Sequence, residues 1–384
     1  MRVLMLNYEF PPIGGGAANA NHNLLSEFAE RDDIEVDLVT SSPDDYREKS
    51  FAENVTLYKL DVGKIDRHYW RVAEIGRWSA KAYLKVRSLV RRREYDLCHS
   101  WFGWPCGYIA HRFRDSVPYL VALRGSDIPG YNPRLERLDD FVFEPLSRTV
   151  WGEAQYVTVL SSDSERMARR TLDRNFTTIP NGVNTDKFRP SQSVQMEPPL
   201  NLLYVGRLIP RKGIEYLLDG MATVIADRPD SPVRLSIVGS GNVQAELERT
   251  VTKLDLHEFV TFEGSKPHDS LPEIYRNADV FVLPSTNEAL SNVVLEAIAS
   301  GLAVVSTDTG AAELVDGNGL VVKRRDSKAI ADAIRKYVDD PHLVDRHKRR
   351  SRDVRSNLSW GCFADRYLEL YRSMTDRPVR HVSA

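Results

Sequence analysis

Short apolar runs alternate with longer amphipathic stretches along almost the whole chain. In the first half the apolar runs are Arg2–Leu6, Val36–Thr40, Thr56–Leu60, Leu97–His99, Tyr119–Ala122, Tyr156–Val159 and Thr177–Ile179. Their length and β-branched content predict strands. Apolar positions recurring every three to four residues predict helices over Ala17–Glu30, Tyr69–Arg93, Trp104–Arg114 and Ser162–Leu172. The second half repeats the scheme, with strands expected at Asn201–Val205, Arg234–Val238, Val260–Phe262, Val280–Leu283, Ala303–Ser306 and Leu320–Val322. Strands alternating with helices imply βα units on parallel sheets. The segment Phe188–Pro199, with Pro190, Pro198 and Pro199, reads as a linker between the halves. The expectation is an α/β protein of two doubly wound, Rossmann-like domains, 1–187 and 200–359, facing each other across a cleft at their strand ends. The last helix, 360–374, carries Trp360, Phe363, Tyr367 and Tyr371 and is expected to pack back on the N-terminal domain.

Length and composition narrow the class. The 384 residues exceed one typical core, in keeping with two domains. A formal net charge of −2 gives no global attraction to nucleic acid. The three cysteines, Cys98, Cys106 and Cys362, form no C-x-x-C pair and their odd number argues against a disulfide framework, which points to a cytoplasmic setting. Met1–Leu6 is too short for the apolar core of a signal peptide, and no apolar run reaches the roughly 18 residues of a membrane span. The nine histidines show no metal-ligand spacing and there is no Asp-x-Asp pair, so no metal and no cofactor are expected.

The stretch from Asn287 to Gly301 follows one strand and precedes another. Ser291 is a candidate N-cap and Gly301 a candidate C-cap for the helix between them. Glu288 then lies in a loop at the carboxyl end of a strand, and Glu296 inside the following helix. Ligands of open parallel sheets bind beyond that end, and a helix N-terminus there suits a phosphate. Two carboxylates beside a phosphate would repel it, so they suit sugar hydroxyls on either side. Two surface glutamates remain the plainer explanation for this segment alone.

Arg207 stands just past a predicted strand end and Lys212 just before the next helix, in a loop bounded by Gly206 and Gly213. A guanidinium and an ammonium so placed can neutralise a diphosphate. Gly239 repeats the strand-then-glycine pattern one unit later, a weak signal by itself. Near the N-terminus, Gly14, Gly15 and Gly16 form a strand-to-helix turn that can be a tight turn or a loop for a phosphate or an acceptor. It is not G-x-G-x-x-G, which speaks against a dinucleotide fingerprint.

Taken together, these elements resemble the family-four (group 1) retaining glycosyltransferases of GT-B fold. The resemblance rests on E-x7-E at Glu288 and Glu296, on G-R-L…K-G at Gly206–Leu208 and Lys212–Gly213, on the P-P…G-G-G loop, and on the inter-domain signature Ile179–Phe188. It implies that Arg207 and Lys212 bind the donor diphosphate and stabilise it as a leaving group. Glu296 would bind the donor ribose, and Glu288 would contact the transferred sugar. Gly206, Gly239, Leu290, Ser291 and Asn292 would complete the donor site. Gly14–Gly16, His99, Arg124 and Asp127 would form an acceptor or phosphate-binding face. Two departures stand out. Ala289 follows Glu288 where the family usually has Gly, and Arg124 stands where it commonly has His. Arg cannot serve as a base at neutral pH, so a His-based relay is excluded at that position. His99 ends a predicted strand and reads equally as a cleft residue or a structural one.

The function implied is metal-independent transfer of a hexose-type sugar, with retention, from a nucleotide-diphospho-sugar, expected to be a UDP-sugar. The acceptor would be a hydroxyl of a saccharide or lipid-linked saccharide, as in polysaccharide or glycolipid biosynthesis. The competing readings are a nucleotide-sugar epimerase of the same fold and a non-catalytic nucleotide-sugar-binding protein. Lys64–Glu94 holds ten Lys/Arg against three Asp/Glu, and Arg77, Lys81 and Lys85 make one basic stripe. That stripe reads either as a solvated helix face or as a peripheral contact with anionic membrane.

Overall fold

The computed structural model describes residues 1–43, 45–66, 69–131, 139–192, 197–229 and 233–376. The chain divides into two compact units, Met1–Asn181 together with the C-terminal segment from Trp360, and Gly182–Ser359. The boundary falls ahead of the proline-rich stretch expected as the linker. Phe188 is fully buried in the second unit's core, among Tyr275 and neighbouring apolar residues, so the segment that opens this stretch is anchored rather than spanning.

The first unit carries an eight-stranded sheet in the order β3-β4-β2-β1-β5-β6-β7-β8. β1 is Arg2–Leu6, β2 Glu35–Ser42, β3 Arg47–Ala52, β4 Val55–Asp61, β5 Leu97–Trp101, β6 Tyr119–Ala122, β7 Tyr156–Val159 and β8 Thr177–Thr178. All neighbours pair parallel except β3, which runs antiparallel to β4 at the edge. The sequence does not predict β3, because an exposed edge strand needs no alternation of buried and polar positions. Helix α1 spans Gly16–Ala29 and α2 spans Val72–Arg92, close to expectation. The helix expected from Trp104 begins only at Tyr108: Trp104 is extended (φ −140°, ψ 137°), as the following Pro105 favours. α3 spans Tyr108–Arg112, and α4, Glu144–Glu153, is a helix the sequence pattern did not reveal. α5 spans Ser162–Thr171.

The second unit holds a six-stranded, wholly parallel sheet in the order β11-β10-β9-β12-β13-β14. β9 is Leu200–Val205, β10 Val233–Val238, β11 Val260–Gly264, β12 Val280–Leu283, β13 Ala303–Thr307 and β14 Gly319–Val322. Consecutive strands move outward from β9 in one direction and from β12 in the other. The crevice between the loops after β9 and β12 is therefore the topological switch point, where doubly wound sheets bind ligands.

Helices α6 (Ile214–Asp227), α7 (Gln244–Lys253), α8 (Leu271–Arg276), α9 (Asn292–Ala299), α10 (Ser327–Asp339) and α11 (Pro341–Val354) surround this sheet. The last helix, α12 (Trp360–Thr375), belongs to the first unit, where Phe363, Tyr367 and Tyr371 are buried with α1 and the sheet.

Candidate functional site

The loops after β9 and β12 are locked together by backbone contacts. The amide and hydroxyl of Thr286 both donate to the Arg211 carbonyl, at 2.9 and 3.1 Å. Gly213 closes the first loop in the left-handed conformation (φ +64°), and a Cβ there would overlap the Pro284 carbonyl. These contacts bring a cationic loop against Glu288.

Lys212 and Glu288 form a buried ion pair, Nζ to Oε1 at 2.5 Å, each residue only 7 % exposed. Arg211 Nη1 lies 3.2 Å from the same oxygen, and the Ser285 hydroxyl donates to it at 3.4 Å. Burial pushes the Lys212 ammonium down from its usual range, and the Glu288 charge opposes that shift. The sequence singled out Lys212 and Glu288 separately; their pairing, and the part of Arg211, came only with the fold. Arg207 differs. Its side chain is exposed and makes no hydrogen bond or ion pair among the described residues, while its carbonyl accepts from the buried Tyr204 hydroxyl at 3.0 Å. The loop thus offers one uncommitted guanidinium beside a neutralised ammonium.

Glu296 lies inside α9, the helix that directly follows the Glu288 loop, and is 8 % exposed. Its Oε2 accepts from the Tyr275 hydroxyl at 3.0 Å, and its Oε1 lies 3.1 Å from His268 Nε2. Burial, and then the Glu296 charge, raise the Tyr275 phenol well above its usual range, so it stays a donor. Neither Tyr275 nor His268 belongs to a motif. His268 sits 28 positions before Glu296, and only the return of β12 beside β9 brings them together.

Helix α9 starts as expected, with one difference. Ser291 occupies the N-cap position but its hydroxyl caps no amide, because the Val294 and Leu295 amides turn back to the Ser291 carbonyl. At the other end Gly301, in the left-handed region (φ +78°), closes the helix, with Leu302 N donating to Ala297 O and Gly301 N to Ile298 O. Leu290 and Asn292, part-buried, flank the cap, and the Glu288 carbonyl accepts from Gly310 N at 3.0 Å. Gly206 and Gly239 end neighbouring strands, and a Cβ on Gly239 (φ +137°) would overlap the Gly206 carbonyl. That contact is sufficient reason for glycine at 239.

In the first unit, the expected acceptor residues part company. Gly15 N lies 3.4 Å from a Glu9 carboxylate oxygen, so an acidic side chain already occupies the Gly14–Gly16 turn. A second anion is disfavoured there, which leaves a tight turn or an acceptor loop. Asp127 accepts from Gly103 N at 2.7 Å and Arg124 N at 2.8 Å, tying the loop after β6 to the loop after β5; burial pushes its carboxyl up against those amides. The Arg124 guanidinium donates to Asn181 and lies 4.7 Å over the Trp101 ring, where burial pushes its pKa down. His99 corrects one of the two readings left open. It is fully buried, its Nδ1 lies 2.7 Å from the Tyr371 hydroxyl, and its ring stacks on Trp101 and Tyr367. Burial holds this imidazole neutral, well below its usual range. The aromatic face of α12, not a loop, claims it.

Residues 199–340 match the family described as glycosyl transferases group 1, and residues 14–187 match glycosyltransferase family 4. A D-inositol 3-phosphate glycosyltransferase of Corynebacterium urealyticum is 30% identical, the match covering 74% of this chain and 73% of that protein. The chain belongs to the group 1 glycosyltransferases. An uncharacterized glycosyltransferase of Methanocaldococcus jannaschii is 28% identical over 97% of this chain and 98% of its own. Among solved structures, sucrose-phosphate synthase from Thermosynechococcus elongatus superposes with a TM-score of 0.78 at 24% identity, covering 97% of this chain and 99% of that one. HepE of Anabaena with UDP-glucose does so with 0.68 at 19% identity, covering 97% and 100%. Both likenesses speak for the GT-B fold. Family membership sets aside the epimerase and the non-catalytic binder.

Proposed function

We propose that this glycosyltransferase moves a sugar from a nucleotide-diphospho-sugar to a hydroxyl of a saccharide or lipid-linked saccharide, with retention and without a metal. The observation that carries the proposal is the buried Lys212–Glu288 pair beside the open Arg207 at the switch point of the second sheet. Arg207 and Lys212 take the diphosphate, and Glu288 turns to the hydroxyls of the transferred sugar. Glu296, with two of its acceptor sites occupied by Tyr275 and His268, keeps the others for the ribose. As the bond from the anomeric carbon to the diphosphate breaks, its electron pair passes to the phosphate oxygen, where the fixed cations offset the charge. The acceptor hydroxyl attacks the same face and gives its proton to that oxygen.

Among the described residues no group of three His, Cys, Asp or Glu is arranged to hold a metal. The HepE complex with UDP-glucose makes uridine nucleotides the first donors to try. Incubating the protein with a panel of nucleotide sugars and candidate acceptors is expected to release nucleoside diphosphate, undiminished by excess EDTA. Release abolished by EDTA and restored by Mg²⁺ or Mn²⁺ would contradict the metal-free part; no release from any donor would contradict the whole.

A peripheral contact with anionic membrane is the second part of the proposal, and the residues that support it are not the expected stripe. Arg77 donates to the Val62 carbonyl, Lys81 to the Asp61 carbonyl, and Lys85 to the Tyr46 hydroxyl, so these three clamp α2 to the sheet edge. Ile65, Tyr69 and Val72, all more than half exposed, instead gather around the start of α2 beside the exposed Arg71. No helix among the described residues is long and apolar enough to cross a membrane. Sedimentation with liposomes is expected to recover more protein on anionic than on neutral vesicles, less at high salt, and less for Val72→Glu. Equal recovery on both vesicle types would remove this contact.

A further inference from the structure

The segment Lys187–Phe188, which follows the boundary between the units, reaches the carboxylate of Glu296 through one histidine. Lys187 Nζ lies 3.0 Å from His268 Nδ1 and also 2.6 Å from Asp269 Oδ1. The Phe188 ring meets the edges of His268 and Tyr275 at 5.4 and 5.7 Å between centroids. An ammonium has donors and no acceptor, so Nδ1 must accept and the ring proton must sit on Nε2. The Nε2–H therefore donates to Glu296 Oε1, while the Tyr275 hydroxyl donates to Oε2. One donor on each oxygen fixes the plane of the carboxylate. A carboxylate offers about four acceptor sites, so about two remain, one on each oxygen, spaced for two neighbouring hydroxyls.

We infer that His268, with its tautomer fixed by Lys187, is a positioning residue that aims Glu296 at the two ribose hydroxyls of the donor nucleotide. This rests on reading Glu296 as the ribose acceptor. His268 acts through Glu296 and touches no reacting atom. Its side chain is 60% exposed, so replacing it removes little packing. An orienting partner of this kind matters only to a ligand that uses the oriented group.

Calorimetry tests the inference, using whichever of UDP, GDP and ADP binds the wild-type protein most tightly and the 2′,3′-dideoxy form of the same nucleotide. His268→Leu is expected to weaken the ribonucleotide by roughly tenfold and to leave the dideoxy form within about twofold. His268→Gln, whose amide can accept from Lys187 and donate to Glu296, is expected to restore most of the loss. Equal loss on both nucleotides, or no loss on either, would overturn the role of His268. Glu296→Gln separates the two levels. If it discriminates between the nucleotides while His268→Leu does not, the inference alone falls. If Glu296→Gln also treats both nucleotides alike, the ribose reading falls and takes the inference with it.

Discussion

Lys212→Met is expected to lose both stability and nucleotide binding. Lys212 and Glu288 are each 7% exposed and share a 2.5 Å contact, so removing the ammonium strands a buried carboxylate. Breaking such a pair by removing one partner costs about 3–5 kcal/mol. Arg211 remains 3.2 Å from the same oxygen, which sets the expectation at the lower end, about 3 kcal/mol. For a unit of this size that lowers Tm by roughly 6–12 °C. Loss of a charged contact to the diphosphate should weaken nucleoside-diphosphate binding by about 1.5–3 kcal/mol, roughly ten- to a hundredfold. The double variant Lys212→Met/Glu288→Leu separates these effects, because replacing both charges by apolar groups is often close to neutral. Melting curves should recover in the double variant while calorimetry still reports weak nucleotide binding. Recovery of binding along with stability would make the pair structural only.

Glu288→Gln is expected to cut turnover by about tenfold or more, roughly 1.4 kcal/mol of transition-state stabilisation, with nucleoside-diphosphate affinity unchanged or improved. The direction follows from the ligand-free geometry. Glu288 Oε1 already engages Lys212, Arg211 and Ser285, so an incoming diphosphate must compete with it for Lys212. Gln keeps the shape and removes the competing charge. The sugar hydroxyls lose their anionic acceptor, and that loss is felt only when the sugar is present. Turnover at the wild-type rate would remove Glu288 from the reaction.

Where periodicity reflects burial, the fold is legible in the sequence. The parallel strands stand out as short apolar runs, and all thirteen fall close to their observed places. β3 escaped because both faces of Arg47–Ala52 are largely exposed. The extended Trp104 ahead of Pro105 shortened a helix whose apolar positions otherwise looked continuous. The boundary fell early because Phe188, read as the start of a linker, is core.

At the site, the spacing of Glu288 and Glu296 was legible because one strand, loop and helix carry both. Their partners were not. Arg211, His268 and Tyr275 lie 77, 28 and 21 positions from the carboxylates they meet, and only the sheet order joins them. The position of His99 at a strand end could not reveal that the aromatic face of α12 covers it.

The division of labour between the two carboxylates is the centre of this account. Calorimetric titration of Glu288→Gln and Glu296→Gln with the same nucleoside diphosphate tests it most directly. Glu296→Gln should bind about tenfold more weakly than wild type, since the ribose is present in that ligand. Glu288→Gln should bind at least as well as wild type, since the transferred sugar is absent. Equal weakening of both variants, or weakening of Glu288→Gln alone, would contradict it.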